Sequence, residues 1–417
     1  MADGSADDLP TRGIRTICLP ITEEKYNELI SDAKLFREWL QESAQLYPEL
    51  FPIGFDLGFE MKDQRTSQKL GIPLRRIRLR NGESFTVRPC FVMPYMTALT
   101  ADVEKGLFLR RFGVPLWAVS YVLGRDPMFW FRQEIALGRN SIVGTTVHKV
   151  DIPEHLVADE HHQTLNGDKV YLATTVGGGC ILGAEVAPTG SIEDLTKAYG
   201  VFQEEARDVE PEYQPLTVNT DGWKGTRASW KVLYPTIVLL RCILHAWLKI
   251  RDRGKGLKQT FFKLGDLVWG AYRAVTKSSF SQRIRRLKTW ANQNLSGTVH
   301  NEVIDLCDKK DLWLEAYDHP GGHRTSNMLD RAMRPMNRYF ENGQHLHGKH
   351  GRTTRLHVRG FCLLHNFSPW HPATTKANAG WQSPAEKLNQ YRYADNWLKN
   401  LMVSTSLGGY KHSPQKA

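Results

Sequence analysis

The pattern of apolar and polar positions predicts a group of strands near the middle of the chain, built around two aspartates. One apolar run covers 156–158 and ends at Asp159, and another covers 216–220 and ends at Asp221. Because strand ends that carry carboxylates can meet at one edge of a sheet, this pattern indicates a site for a divalent metal ion. The segments between the two aspartates are predicted as two further strands and a helix, over 169–176, 180–186 and 192–207.

Closer to the N-terminus, the pattern predicts a helix and a β-hairpin. Apolar residues at helical spacing indicate an amphipathic helix over 23–47, to which the sequence assigns no function. Arginines alternate with apolar residues over 76–80, and the Asn-Gly pair at 81–82 favours a tight turn into a second strand over 84–87. The arginine face of this hairpin is either a solvated surface or a phosphate contact. Residues 1–20 are predicted to be disordered.

Three short helices are predicted before the first aspartate, over 103–112, 116–123 and 127–137. Gly124 ends the second helix, and Asp126 is a good N-cap for the third. Two short helices joined by a glycine-containing turn are typical of a helix-turn-helix, but the apolar third helix leaves a plain helical domain equally open. In the first interpretation, the DNA-contacting side chains of this region are Arg132, Gln133 and Arg139.

The second half of the chain is predicted to be mostly helical. Helices are expected over 236–250 and over 324–340, the latter with a kink or break at Pro335, and a final helix over 384–401. Between the first two lies a helical, strongly basic segment, 251–318, which reads as an insertion. A last segment rich in histidine and arginine, 345–359, is expected to face phosphates rather than to bind metal.

Composition narrows the class of protein. The 417 residues carry a formal net charge of +11, with 41% hydrophobic and 24% charged residues. These values indicate a globular chain of two to three domains and favour a polyanionic partner, nucleic acid ahead of lipid. The six cysteines include no C-x-x-C pair, which predicts a reducing compartment without disulfides or a zinc ribbon.

Neither a secretion signal nor a membrane span is expected. The first eight residues are small and acidic, which does not match a signal peptide. The most apolar stretch, 232–250, contains Arg241 and His245 and is too polar to cross a bilayer comfortably. We therefore expect a cytoplasmic protein that is nucleoid-associated when bound to DNA, with no membrane partner.

The chemistry suggested by Asp159 and Asp221 needs a third acid. Phosphodiester chemistry with two metal ions requires several carboxylates around one small space, and Mg²⁺ prefers oxygen ligands. The best candidate is Asp330, on a predicted helix with one wholly polar face, although that helix by itself also fits an ordinary amphipathic surface helix. The polar face consists of Asn327, Asp330, Arg331, Arg334 and Asn337.

The order of these features resembles the DDE transposases of bacterial insertion sequences, and among them the Mutator-like group. That group has a Cys-x-x-His pair soon after its second aspartate, where this chain has Cys242 and His245. At the third acid the group has Ser/Thr-Asn-x-x-Glu, where this chain has Ser326-Asn327-x-x-Asp330. The chain thus departs from the pattern with an Asp in place of Glu. Because this side chain is one methylene shorter, its helix has to lie nearer the metal ions.

The resemblance implies a fold and an activity. It covers residues 150–345 and implies an α/β catalytic core, a ribonuclease-H-like mixed sheet with a helical insertion, plus an α-rich N-terminal DNA-binding region. The implied reaction is cleavage at transposon ends and strand transfer into target DNA. The implied cofactor is Mg²⁺, with Mn²⁺ as a substitute. The implied partners are double-stranded DNA, both terminal inverted repeats and target, and further copies of the chain in a homodimer or higher oligomer.

The resemblance also assigns roles to individual residues. The catalytic and metal-binding residues would be Asp159, Asp221 and Asp330. Active-site support would come from Cys242, His245 and Asn327, with a buried thiol and a satisfied core histidine as the alternative for the first two. Further DNA contacts would come from Trp223, Arg324, Arg331 and Arg334, with core packing as the alternative for the tryptophan.

The predicted domain organisation follows the chain. Its parts are a disordered N-terminus (1–20), a helix and hairpin region (21–100), a helix-turn-helix-like region with linker (101–149), a catalytic domain (150–345) containing the helical insertion (251–318), and a basic helical tail (346–417). Two other functions fit the same residues. One is a catalytically inactive, transposase-derived DNA-binding protein or regulator, and the other is a metal-dependent nuclease on the same fold.

Overall fold

The computed structural model describes residues 14–342 and 351–410 of the chain. The strands within those residues are β1 (Thr16–Leu19), β2 (Phe59–Thr66), β3 (Pro73–Leu79), β4 (Ser84–Pro89), β5 (His155–Leu165), β6 (Asp168–Gly177), β7 (Cys180–Ala187), β8 (Thr217–Thr220) and β9 (Val238–Arg241). The α-helices before β8 are α1 (Glu23–Ile30), α2 (Ala33–Leu46), α3 (Thr100–Arg111), α4 (Leu116–Leu123), α5 (Pro127–Leu137), α6 (Ile142–Thr146) and α7 (Ile192–Val209).

The later part of the chain is mainly helical, as expected. Its helices are α8 (Lys224–Leu233), α9 (Ile243–Gly254), α10 (Gln259–Tyr272), α11 (Lys277–Asn294), α12 (Gly297–Asp308), α13 (Asp311–Leu314), α14 (Asn327–Asn342), α15 (Gly351–Phe367), α16 (Pro372–Ala377), α17 (Pro384–Asn389) and α18 (Trp397–Ser404). Short 3-10 turns occupy Pro48–Leu50, Pro94–Met96, Glu315–Tyr317 and Ser406–Gly409. Within the described residues, none of the helices combines the length and the apolar character needed to cross a bilayer.

The first sheet has the strand order β1-β4-β3-β2. The predicted hairpin forms between β3 and β4, which are antiparallel, and its turn contains Gly82 with a φ of +86°. β1 is parallel to β4. This strand corrects the expectation of disorder for residues 14–20, while residues 1–13 lie outside the described part of the chain.

The second sheet has the order β7-β6-β5-β8-β9 and is mixed. β6 and β7 are antiparallel, whereas β5, β8 and β9 are parallel neighbours. Two expectations are corrected here. β5 continues to Leu165, so Asp159 lies inside the strand and not at its end. The segment Val238–Arg241 forms a strand and not part of a helix, because a short apolar run cannot be assigned by periodicity alone.

By contact density, the described chain divides into two compact units. Unit 1 contains 14–152, 160–213 and 331–410, and unit 2 contains 153–159 and 214–330. The boundary passes through β5, so each unit takes part of this strand. The units therefore do not follow the linear order of the chain.

In unit 1, α4 and α5 begin and end where the sequence predicts. The Asp126 side chain accepts a hydrogen bond from the Met128 backbone N–H at 2.7 Å, which caps α5. The Trp130 ring lies directly against α3 at Gly106, where an added Cβ would be 2.3 Å from the ring. This glycine therefore allows α5 to pack closely against α3.

α5 also packs very closely against α15. An added Cβ at Gly138 would be 1.8 Å from the Leu356 carbonyl oxygen, and one at Gly360 would be 2.3 Å from the Glu134 carbonyl oxygen. The two helices thus touch backbone to backbone, with one glycine on each side of the contact. No larger residue fits at either position without separating them.

Unit 2 contains the predicted helical insertion. Helices α9 to α13 surround one hydrophobic core, in which Phe280, Leu287 and Val303 are fully buried. The Thr276 side chain accepts a hydrogen bond from the Ser279 backbone N–H, and the Ser279 side chain accepts one from the Thr276 N–H, forming a capping box for α11. The insertion therefore has its own core and does not depend on the β-sheet for all its packing.

The C-terminal part corrects three further expectations. The helix α14 continues through Pro335 without a break. The predicted helix over 384–401 is two helices, separated by a left-handed Gln390. In the histidine-rich segment, residues 343–350 lie outside the described chain, while His357 and Arg359 are largely buried and do not face phosphates.

Candidate functional site

Asp159 and Asp221 lie on neighbouring parallel strands of unit 2. The register of β5 and β8 pairs Val157 with Asn219. Asp159 lies two residues beyond Val157 within β5, and Asp221 lies two residues beyond Asn219, directly after the end of β8. Because neighbouring strands lie roughly 4.8 Å apart, the two aspartates occupy neighbouring segments of the chain. The Asp159 side chain is 18% exposed and Asp221 is half-buried, so both remain accessible.

The chain turns sharply after Asp221. The Asp221 Oδ1 accepts a hydrogen bond from the Trp223 backbone N–H at 2.6 Å, which orients the carboxylate at the start of α8. Gly222 adopts a φ of +96°, and an added Cβ there would be 2.8 Å from Arg241 Nε. A glycine is therefore required both for the backbone conformation and for the place of the Arg241 side chain.

His245 links the two aspartates electrostatically. It lies in the first turn of α9, with its Nε2 at 3.9 Å from Asp159 Oδ2. The neighbouring Cys242 sulfur raises the pKa of His245 to about 9 in spite of partial burial, and the charges of Asp159 and Asp221 add to this effect. The imidazole is thus cationic near neutral pH and offsets the repulsion between the two carboxylates.

Cys242 is buried behind the histidine. Burial raises its pKa, but interactions with His245 and Ser326 outweigh that effect, so the pKa of Cys242 is lowered. The Ser326 backbone N–H donates to the Cys242 sulfur at 3.2 Å. The cysteine therefore connects α9 to the residue that precedes α14.

Asp330 is connected to Cys242 through Ser326. The Ser326 hydroxyl donates to Asp330 Oδ2 at 3.1 Å, one turn along α14, and Asp330 is otherwise exposed. Within 14–342 and 351–410, no group of three or more His, Cys, Asp or Glu side chains is close enough to hold a metal ion. Asp159, Asp221 and Asp330 therefore do not form such a group, and contact between the predicted third acid and the first two is indirect, through Ser326, Cys242 and His245.

The start of α14 is also held to the sheet. The Asn219 side chain donates to the His323 carbonyl oxygen at 2.8 Å, and the Ile243 backbone N–H donates to the Arg324 carbonyl oxygen at 3.3 Å. These bonds fix the loop that leads into Asn327. As a result, the Ser-Asn-x-x-Asp motif has a defined place beside β8 and β9.

The other residues that the sequence predicts for this site differ in their exposure to solvent. Asn327, Arg331 and Arg334 are exposed. Arg324 is enclosed between two aromatic rings, 4.8 Å from the Tyr272 ring centroid and 4.4 Å from that of Tyr317. Its guanidinium is therefore engaged in structural contacts. Trp223 is half-buried at the start of α8.

In the helix-turn-helix-like region of unit 1, only part of the predicted contact surface is accessible. Arg132 is exposed. Gln133 is 1% exposed, and its amide oxygen accepts a hydrogen bond from the Thr97 hydroxyl at 2.8 Å. The expectation that Gln133 reads a base is therefore corrected. The Arg139 guanidinium lies 4.7 Å from the centroid of the Tyr95 ring.

Sequence reasoning missed two residues that belong to this neighbourhood. Ser326 bridges Cys242 and Asp330, and the serine of the Ser-Asn-x-x-Asp motif was the available signal. Arg241 lies beside the turn after Asp221, where a guanidinium can bind a phosphate oxygen. It stands directly before the Cys-x-x-His pair, but its position depends on β9, which the sequence did not predict.

Comparisons with known proteins do not assign this chain to a family. No protein-family model matches this chain, and no curated protein shows significant sequence similarity to it. The site is thus defined by its own geometry. It comprises two neighbouring carboxylates, a cationic histidine 3.9 Å from one of them and a guanidinium beside the turn that follows the other.

Proposed function

We propose that the chain is a metal-dependent DNA strand transferase of the DDE transposase kind, which cleaves transposon ends and joins them to target DNA. One observation carries the proposal. Asp159 lies on β5, Asp221 directly follows the parallel neighbour β8, and both carboxylates raise the pKa of His245. The mixed sheet is compatible with a ribonuclease-H-like core, in which such a pair of carboxylates would form the catalytic centre.

The two carboxylates of the site are ligands of the kind that Mg²⁺ prefers. Mg²⁺ keeps several waters and is commonly held by one or two carboxylates together with substrate phosphates. Asp159 and Asp221 would hold it, with Mn²⁺ as a substitute. Such a cation would activate the attacking oxygen and stabilise the leaving oxygen of the phosphodiester. Asp330 is assigned as the third ligand by the resemblance alone.

The other residues of the site have electrostatic and positioning roles in this proposal. The His245 imidazolium lowers the electrostatic repulsion between the two carboxylates. Arg241, held against Gly222, binds a non-bridging oxygen of the scissile phosphate. Ser326 and Cys242 position His245 and orient the Asp330 carboxylate, while Asn327 supports the start of α14.

The partner in this proposal is double-stranded DNA, both the terminal inverted repeats and the target. The net charge of +11 favours such a polyanion. Exposed arginines at Arg132, Arg331 and Arg334 provide phosphate contacts, and Trp223 stacks on a distorted base near the cut. Two transposon ends have to be held together, which calls for a homodimer or higher oligomer, and the protein works in the cytoplasm, on the nucleoid.

The test is Mg²⁺-dependent cleavage and joining of a DNA fragment bearing the inverted repeats that flank the gene. Asp159→Asn and Asp221→Asn are expected to lower the cleavage rate by on the order of 10³-fold, because both ligands are needed, while DNA binding is retained. The matched control is Asp151→Asn, an exposed aspartate before β5, which leaves the rate unchanged. Cleavage that survives either site substitution contradicts the metal site.

A second candidate function is favoured by one observation. Asp330 is held by Ser326 and does not join the two other aspartates in a metal-binding group. A transposase-derived DNA-binding protein or regulator needs no such group. Sequence-specific binding to the inverted repeats without any cleavage by the unmodified protein supports this function, and cleavage without joined products supports a metal-dependent nuclease.

A further inference from the structure

A separate cavity lies in unit 1, between α2 and the ribbon formed by β2 and β3. Its volume is about 770 Å³, within the usual range of roughly 300–1,000 Å³ for small-molecule sites. The side chains that line it and carry the argument below are Arg37, Gln41, Gln45, Phe55, Phe59 and Arg80. The proposed function makes no use of this cavity.

One wall is a stack of three planar groups. The rings of Phe55 and Phe59 are stacked, with centroids 4.6 Å apart and an interplanar angle of 22°. The guanidinium carbon of Arg37 lies 4.8 Å from the Phe59 ring centroid, and Arg37 Nη1 donates to the Phe59 carbonyl oxygen at 2.9 Å. The guanidinium plane is therefore fixed before any ligand arrives, which lowers the entropic cost of binding.

Positive charge in the cavity is only partly compensated. Arg78 forms an ion pair with Glu60 at 3.1 Å. Arg37 and Arg80, in contrast, form no salt bridge with any acid in the described residues. Arg80 lies against Gly58, which has a φ of +109° and where an added Cβ would be 3.2 Å from Arg80 Nε. The glycine thus leaves room for the Arg80 guanidinium beside the backbone.

The polar groups around this charge suit a nucleotide. Gln41 and Gln45 are exposed, one turn apart on the same face of α2, and their amides can both donate to and accept from a base edge. The Asp56 carboxylate, also in the lining, accepts from an exocyclic amino group. A base can stack on the outer face of the Arg37 guanidinium while its phosphate binds Arg80.

We propose that this cavity binds a single unpaired nucleotide, either a free mononucleotide or an unstacked nucleotide of a DNA strand. The bound unit is a base on Arg37, with its edge at Gln41 and Gln45 and its phosphate at Arg80. This binding goes beyond the proposed function and does not require the carboxylate site to be catalytic. A paired base inside a duplex is excluded, because its stacked neighbours cannot enter the cavity.

The test uses the full chain without divalent metal and follows 2-aminopurine, whose fluorescence intensity rises when the base leaves its stacked neighbours and whose anisotropy rises when a small ligand is bound. Three probes are compared. They are 2-aminopurine deoxyribonucleoside 5′-monophosphate, a duplex with 2-aminopurine in a short single-stranded overhang, and a blunt duplex with the same base paired. The unmodified protein is expected to raise the intensity of the overhang probe and not that of the blunt one. A rise in the anisotropy of the monophosphate as well identifies a free nucleotide as a ligand, whereas a response of the overhang alone identifies a DNA strand.

Substitutions in the cavity test whether the nucleotide binds there. Arg37→Gln and Arg80→Gln are expected to weaken binding of the overhang probe by roughly 10-fold or more, because the first removes the surface on which the base stacks and the second removes the charge that binds its phosphate. The matched control is Arg65→Gln, on β2 but outside the cavity and 67% exposed, which changes the affinity by less than about twofold. Gln41→Ala, an exposed position, gives a second variant that leaves the fold intact if Arg37→Gln lowers thermal stability.

Two results overturn the proposal. One is unchanged affinity for the overhang probe in Arg80→Gln and Gln41→Ala. The other is an equal loss in Arg65→Gln, which indicates general attraction to positive charge. Asp159→Asn is tested alongside and binds the probe as the unmodified protein does, so a failure of strand cleavage and a failure of nucleotide binding are told apart.

Discussion

The acids of unit 1 and those of unit 2 are treated in opposite ways. Glu134 is fully buried and is bound by Arg110, by the Tyr339 hydroxyl and by His357 Nε2. Burial raises its pKa, but Arg110 and these hydrogen bonds outweigh that effect and lower the pKa of Glu134 to about 2. Asp159 and Asp221 in unit 2 are partly exposed and face one histidine.

Glu205 repeats the pattern of unit 1. It is paired with the buried Arg359 and accepts hydrogen bonds from the Ser141 hydroxyl at 3.0 Å and from the Ile142 backbone N–H at 2.6 Å. A carboxylate whose lone pairs are used inside the protein has a structural role. A carboxylate that keeps solvent contact beside another one is able to take a ligand. The comparison distinguishes buried acids, each held by several groups inside the protein, from partly exposed acids that keep solvent contact.

The largest effect on stability is expected from breaking a saturated pair. Arg110→Leu leaves Glu134 buried without its main counter-charge and is expected to lower the free energy of unfolding by about 3–5 kcal/mol. Chemical denaturation measures this loss. Lys197→Leu, which removes an exposed ion pair to Glu193 in the same unit, is the control and is expected to leave the free energy of unfolding almost unchanged. A similar cost for both substitutions means that the buried network does not stabilise unit 1.

A buried histidine gives the next largest effect on stability. Burial, together with the charge of Arg111, lowers the pKa of His365 to about 3, and its buried Nδ1 has no hydrogen-bond partner. The unfolded chain takes up this proton near pH 6.5, so the stability present above that pH is lost as the pH falls toward 3. Between pH 7.5 and 4.5 the loss is expected to be on the order of 2–3 kcal/mol.

His365→Phe isolates this contribution. The variant is expected to lose less stability over the same pH interval than the unmodified protein, measured by denaturant unfolding at both pH values. His371→Phe removes an exposed histidine that caps α16, and it is expected to change the stability without removing the pH dependence. If His365→Phe keeps it too, the acid sensitivity arises from other groups.

The smallest effect on stability is expected for the two aspartates of unit 2. Asp159→Asn and Asp221→Asn are expected to change the free energy of unfolding by less than about 1 kcal/mol, because both side chains are partly exposed and Asn keeps an acceptor for the Trp223 N–H. Thermal unfolding in the absence of metal measures this. A loss comparable to that of Arg110→Leu places these acids among the scaffold groups and contradicts the distinction.

Much of the fold could be predicted from local signals. Helices α4 and α5 and the hairpin at Gly82 match because caps, glycines and alternation are encoded within a few residues. β9 could not be predicted, because Val238–Arg241 is an apolar run that suits either a strand or a buried helix. Its role as a parallel neighbour of β8 depends on contacts distant in sequence.

The residues of the candidate site stand out in the sequence, but their connections do not. Asp159 and Asp221 are conspicuous because each follows a short apolar run of the sequence. The indirect contact of Asp330 was not, because helical spacing shows that a face is polar but not what it meets. The prediction that Gln133 contacts DNA is wrong for the same reason. Its polarity indicated exposure, but it lies in the interior and is hydrogen-bonded to Thr97, which is distant in sequence.

The glycine contact between α5 and α15 has a consequence for how DNA would be bound. Side chains can adjust by changing rotamers, but two backbones in contact at Gly138 and Gly360 cannot slide past one another without a steric clash, and separating them gives up close packing. The contact therefore resists movement of α5, the helix that carries Arg132. A duplex that meets a rigid surface has to supply the deformation itself, so flexible base steps would bind better than stiff ones at positions that no side chain touches.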